Sequence, residues 1–136
     1  MKRKILCLLV CGLQIIVLTA CSVMTTSAKI QGTVTYLERF ALSPSAQVEI
    51  VLADVSLADA PYTLINKTII QPSGQVPLYF ELSYDPEKII PNHTYAVMTR
   101  ITDGGSLLFI NDQSYQVITR GRPSSVEMIL KKVAMN

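Results

Sequence analysis

The chain has 136 residues, 12 Lys and Arg against 10 Asp and Glu, and 49% apolar side chains. That length bounds it to one domain. The near-balanced charge excludes the broad basic surface that nucleic acid or a heparin-like polymer requires. Three of the basic residues, Lys2, Arg3 and Lys4, stand together at the N-terminus, so residues beyond 20 carry nine basic against ten acidic side chains, a net of −1.

Behind that basic group, Ile5 to Leu18 is an almost unbroken apolar run, followed by Thr19-Ala20-Cys21. A positive start, an apolar stretch and small residues before a defined point form a secretory signal rather than a fold element. Leu18-Thr19-Ala20-Cys21 resembles the bacterial lipobox, in which the cysteine thiol is lipidated and the chain is then cut before it. The expectation is cleavage between Ala20 and Cys21, with Cys21 as lipidated first residue of the mature protein. A plain secreted protein and an N-terminal transmembrane helix are the alternatives. The run is shorter than the roughly 20 residues a spanning helix needs. Val17 and Leu18 do not supply the small residue that ordinary signal peptidase prefers three positions before a cut.

Residues 1–20 thus read as a lipoprotein signal peptide and 21–28 as a short tether carrying the lipidated cysteine. Residues 29–136 read as the folded domain. In bacterial lipoproteins an Asp after the cysteine usually marks inner-membrane retention, so Ser22 points to outer-membrane sorting. Cys7 and Cys11 fall in the signal and Cys21 would be acylated, which leaves no thiol for a disulfide. Core packing must then hold the domain together. One acyl chain gives only reversible membrane binding, whereas two or three hold firmly.

From residue 29 onward the chain reads as strands. Lys29 to Leu37 places Ile30, Val34 and Tyr36 on one face. Gln47 to Val55 does the same with Val48, Ile50 and Leu52, while Val51 points the other way. Tyr62 to Ile70 is β-rich with a weaker pattern. Val76, Leu78, Phe80, Leu82 and Tyr84 alternate without a break, which makes one face of that strand apolar. Pro77 cannot donate to a ladder, so the segment begins at an edge or just outside pairing.

Asp85 to Ile90 is the best helical turn, with Asp85 as cap, Pro86 in the first position and Pro91 as terminator. Tyr95, Val97, Thr99 and Ile101 then alternate, followed by Leu107 to Ile110, Tyr115 to Thr119, and a final strand with Val126, Met128 and Leu130. Gln71-Pro72-Ser73-Gly74 and Asp103-Gly104-Gly105 are strong turn signals, the second suited to a hairpin. These elements predict an all-β protein: a single antiparallel β-sandwich of about seven or eight strands, with one short helical turn near 85–90.

Groups able to do chemistry are sparse. His93 is the lone histidine, set in a loop, and without a second histidine or a free cysteine it makes a poor zinc site. No nucleophile-elbow motif accompanies the serines. Asp54 and Asp59 are the nearest carboxylate pair. They could hold calcium or act as acid and base, or they could simply bond the backbone of their own loop. Calcium loops need more oxygen ligands at closer spacing, which favours the loop role. Arg100 is expected on an exposed strand face, alone or paired with Glu81 or Glu49. No catalytic residue, metal site or cofactor is predicted, and the chain is not expected to be an enzyme.

An ordered set of blocks carries a resemblance. Arg39-Phe40-Ala41-Leu42-Ser43-Pro44-Ser45-Ala46 is followed by Asp54 to Pro61, Gly74 to Phe80, Tyr84-Asp85-Pro86 and Gly105 to Ile110. Together they resemble the YscW/YbaY-like lipoproteins, which include the type III secretion pilotins YscW and ExsB. The match covers about Lys29 to Val133. It implies a β-sandwich and a pilotin's work: binding an outer-membrane secretin subunit, through its C-terminal segment, and promoting its localisation and oligomerisation. The implied setting is a lipid anchor at Cys21 in the outer membrane, a domain facing the periplasm, and carriage by the lipoprotein-sorting machinery. No residue can be assigned to secretin binding from the resemblance. The alternative within the family is a YbaY-like envelope lipoprotein with a structural or stress-related role.

Overall fold

Strict alternation survives into three dimensions at Leu78–Tyr84, where Leu78, Phe80 and Leu82 are buried while Tyr79, Glu81 and Ser83 face water. A computed structural model describes Ser22 and residues 24–134. Among them are eight strands: β1 (Ala28–Tyr36), β2 (Gln47–Asp54), β3 (Thr63–Ile70), β4 (Leu78–Tyr84), β5 (Tyr95–Asp103), β6 (Ser106–Ile110), β7 (Tyr115–Val117) and β8 (Ser125–Lys132). The all-β architecture with one short helical turn is as the sequence predicts.

The strands follow the order β3-β2-β5-β6-β8-β1-β4, with β7 beside β5. β8 belongs to both halves of this path. Its residues 125–130 pair with β1, and Lys131 and Lys132 pair with Ile110 and Phe109 of β6. A small sheet, β4-β1-β8, thereby continues into a larger one, and the path curls until its two ends approach. There the Asn66 side-chain amide of β3 donates to the Ser83 carbonyl oxygen of β4 at 2.6 Å. One pair departs from the expected antiparallel pattern: β1 and β8 run parallel. Alternation along a strand fixes its faces but not its neighbour's direction.

Inward side chains from every strand form one core. Ile30, Val34, Val48, Ile50, Leu52, Val97, Ile101, Phe109, Val117 and Met128 are inaccessible to solvent. Tyr36 stacks on Phe109 with ring centroids 4.1 Å apart, and its hydroxyl donates to the Phe40 carbonyl at 2.7 Å. A buried phenol thus keeps its polar tip satisfied.

The turns behave as their residues require. Gly104 and Gly105 take positive φ values of 56° and 84° in the β5–β6 hairpin, a conformation glycine adopts without steric cost. Asp85 accepts from the Glu87 amide at 3.0 Å and caps the 3-10 turn Pro86–Lys88. The strand expected over Tyr115–Thr119 stops at Val117. Ile118 adopts φ 61°, and the Thr119 amide bonds back to the Val117 carbonyl at 2.8 Å. This tight turn is a strained one for a β-branched residue.

Candidate interaction surfaces

The outer face of the large sheet is more apolar than its solvent position requires. β2 and β5 pair with Glu49 opposite Arg100 and Val51 opposite Met98, so these four side chains share the face turned away from the core. Val51, Met98, Tyr62 and Ile110 line a groove of ≈ 180 Å³ together with Glu49, Arg100 and Asn111. On β3, Leu64 and Ile69 stand opposite Ala53 and Glu49. Tyr62, Leu64 and Ile69 are each about half exposed.

Two cations share one carboxylate at this groove. Glu49 lies 2.9 Å from Arg100 and 3.6 Å from Lys67, and is far less exposed than either. The rim therefore carries a net positive charge. Of the two partners expected for Arg100, the structure selects Glu49. Glu81 instead binds Lys29 at 2.6 Å and Gln31 at 3.2 Å, and those contacts hold its carboxyl below the usual range.

The small sheet presents a different outer face. A shallow depression of ≈ 690 Å³ is lined by Gln31, Thr33, Tyr79, Glu81, Ser125 and Glu127. Gly32, Phe80 and Val126 complete its lining, so polar side chains alternate with apolar surface, and the Tyr79 ring is 81% exposed.

A third surface gathers where β1 begins. Asp54 ends β2, and its carboxylate contacts His93 Nδ1 and accepts from the Ser56 amide and hydroxyl. The Thr94 amide donates to Ser56 Oγ at 2.9 Å, and the Val55 amide to the Thr94 carbonyl at 2.8 Å. Thr119 Oγ1 closes the network on the His93 carbonyl at 2.7 Å. Partial burial pushes the Asp54 carboxyl up, but the bonds from Ser56 and His93 outweigh it and leave it low.

The loop role for Asp54 fits this geometry. Asp59 is exposed, and none of the hydrogen bonds among the described residues joins it to Asp54. His93, a loop residue as the sequence predicts, is also the link between two loops. The 39 residues separating it from Asp54 gave no local signal. Among the described residues no group of three or more His, Cys, Asp or Glu could hold a metal ion. Ala20 and Cys21 lie outside the described residues.

A family model described as "Type III secretion system lipoprotein chaperone (YscW)" matches residues 25–130, nearly all of the folded body. The chain belongs to the YscW family. Its relatives agree with that membership. A solved structure described as an alternative pilotin from the type II secretion system of Vibrio cholerae is 44% identical. The two superpose with a TM-score of 0.75, over 81% of this chain and 100% of that one. The uncharacterized lipoprotein YbaY of Escherichia coli (strain K12) is 36% identical over 93 residues, 68% of this chain. The chain spans about half the length of YbaY, since the match covers 49% of it. YscW membership and the pilotin neighbour point to a non-enzymatic role.

Proposed function

We propose that this protein is a pilotin, a lipid-anchored chaperone that binds an outer-membrane secretin subunit and promotes its localisation and oligomerisation. The observation that carries the reading is the 44% identity to a pilotin whose whole chain is covered, within a family described as lipoprotein chaperones. The signal is cut between Ala20 and Cys21, and lipid on Cys21 anchors the tether of residues 21–28. The domain faces the periplasm, and the lipoprotein-sorting machinery carries it with its cargo to the outer membrane.

The partner segment is the C-terminal part of the secretin. It lies in the groove of Val51, Tyr62, Met98 and Ile110, where apolar walls stand beside Arg100 and Lys67. Such a rim suits an amphipathic segment with acidic flanks. The family description favours a type III secretin. A type II secretin is the second reading, supported by the identity to a type II pilotin.

The test is secretin localisation in wild-type, deletion and Cys21→Ser strains, with capture of type III and type II secretin C-terminal segments by the purified protein. The expected result is a folded Cys21→Ser protein that still captures one of the segments but leaves secretin multimers out of the outer membrane. Normal secretin assembly in the deletion strain, with neither segment captured, would refute the pilotin reading and leave a YbaY-like envelope role.

A further inference from the structure

We infer that the end of the domain bearing the tether is a bilayer-contacting face, with Leu57 and Ile90 entering the lipid interface. This rests on the reading of Cys21 as a lipid anchor.

Strand register shows what lies at that end. β1 begins at Ala28 opposite Tyr84, and Thr25, Thr26 and Ser27 lie against Tyr84, Asp85 and Lys88. Asp54, Tyr95 and Val117 are neighbours in the register of β2, β5 and β7. Asn66 of β3 and Ser83 of β4 bring the two groups of strand ends together. The loops following Asp54 and preceding Tyr95 therefore project from the end that carries the tether.

Two aliphatic side chains stand most exposed on those loops, Leu57 at 73% and Ile90 at 50%. Met24, on the tether itself, is 91% exposed. Exposure alone does not mark a membrane face, since Leu37 is 75% exposed at the opposite end, where β1 finishes. Position distinguishes them. Seven residue steps separate Cys21 from Ala28, and an extended chain gains at most about 3.5 Å per residue, so β1 starts within about 25 Å of the anchored cysteine. A lipid on Cys21 would hold Leu57 and Ile90 beside the headgroups, where apolar side chains are stabilised by burial at the acyl boundary.

The loops are also already braced. The Asp54, Ser56, His93 and Thr94 bonds hold the first to the second, and the Ile90 amide donates to the Tyr95 hydroxyl at 2.9 Å. Contact with lipid then requires little additional ordering. Lys88, Arg120 and Arg122 are balanced on this end by Asp59, Asp85 and Glu87, with Asp54 committed to His93. The contact is apolar rather than electrostatic, so it needs no anionic lipid and resists salt. It holds the strands rising from the bilayer and leaves the groove of the large sheet open to the side.

The chain contains no tryptophan, which gives a clean reporter. Leu57→Trp, Ile90→Trp and Leu37→Trp variants of the lipidated mature protein are placed in phosphatidylcholine vesicles with brominated acyl chains. Fluorescence at positions 57 and 90 should fall at least about twofold and at position 37 remain unchanged, at low and high salt alike, as insertion of loop tips requires. Equal quenching at all three positions, or none at 57 and 90 while the protein stays with the vesicles, would overturn the inference. Failure of the protein to remain with vesicles would instead remove the anchor reading, and this inference with it. Unchanged melting of the three variants establishes that each is folded.

Discussion

Gly32 of β1 lies so close to Val126 of β8 that a Cβ on residue 32 would stand 2.1 Å from the Val126 carbonyl oxygen. On its other side the Phe80 ring would be only 2.9 Å away. Backbone on one flank and a core ring on the other leave no route for relief. The missing side chain is what lets the parallel β1–β8 pair close beneath the core.

Gly32→Ala should therefore destabilise the domain by about 2–3 kcal/mol, as overpacking against fixed neighbours does. Melting should fall by roughly 10 °C for a domain of this size. Gly74→Ala is the control, because nothing lies within 4 Å of a Cβ there. Equal melting of the two variants would show that β1 and β8 can separate without loss.

Asn111 bridges the gap between β6 and β7. Its Oδ1 accepts from the Thr99 amide at 2.8 Å, its Nδ2 donates to the Gln113 carbonyl, and its own amide donates to the Thr99 carbonyl. Thr99 is buried, so Asn111→Ala strands a donor in the interior and should cost about 1–3 kcal/mol. Asn111→Asp keeps the acceptor and should cost less. Urea midpoints at constant slope report both.

Acid should loosen the end of the domain that carries the β5–β6 hairpin. Asp103 accepts from Ser43 Oγ at 2.6 Å and Ser45 Oγ at 2.7 Å, which hold its carboxyl below the ordinary value of 3.8. A lowered folded-state pKa contributes stability above the unfolded value, and that contribution is lost as pH falls through the folded value. Wild type should lose stability between about pH 5 and pH 2, and a Ser43→Ala/Ser45→Ala protein should lose less over that range. Part of the loss should persist in the variant, because Asp54 is also held low. Coincident urea midpoints against pH would show that the serines contribute nothing.

The groove on the large sheet should be separable from stability. Tyr62→Ala and Ile110→Asp alter exposed positions and should change stability by about 0.5 kcal/mol or less. On the pilotin function proposed above, each should nevertheless weaken capture of a secretin C-terminal segment by about tenfold, as loss of a central apolar contact does. Tyr79→Ala, on the outer face of the small sheet, should leave capture unchanged. Calorimetric titration with the segment distinguishes these outcomes.

What the sequence made legible was local. Leu78, Phe80 and Leu82 announced both their strand and its buried face, and Asp85-Pro86 announced a capped turn. Val51, noted in sequence as pointing away from its neighbours, proves to be the 6% exposed floor of the groove. What stayed hidden was long-range. Nothing near Gln31 indicates that it pairs with Ser125, or that β8 runs beside β1 in the same direction. Tyr62 gave no sign of crossing to Met98, because the groove exists only once β2 and β5 are neighbours. Asp54 and His93 were both visible as polar loop residues, and only the fold brings them together.

The sharing of β8 by the two sheets has a consequence for biogenesis. Of the eight strands, the one that joins the halves is made last, and it must reach back to β1, the first. Neither the small sheet nor the curl of the larger one can be completed before β8 is free to pair. Closure comes last, and its slow step joins strands nearly the full domain apart in sequence. Until then one edge of β1 stays unpaired, so final folding waits on the whole domain rather than advancing strand by strand.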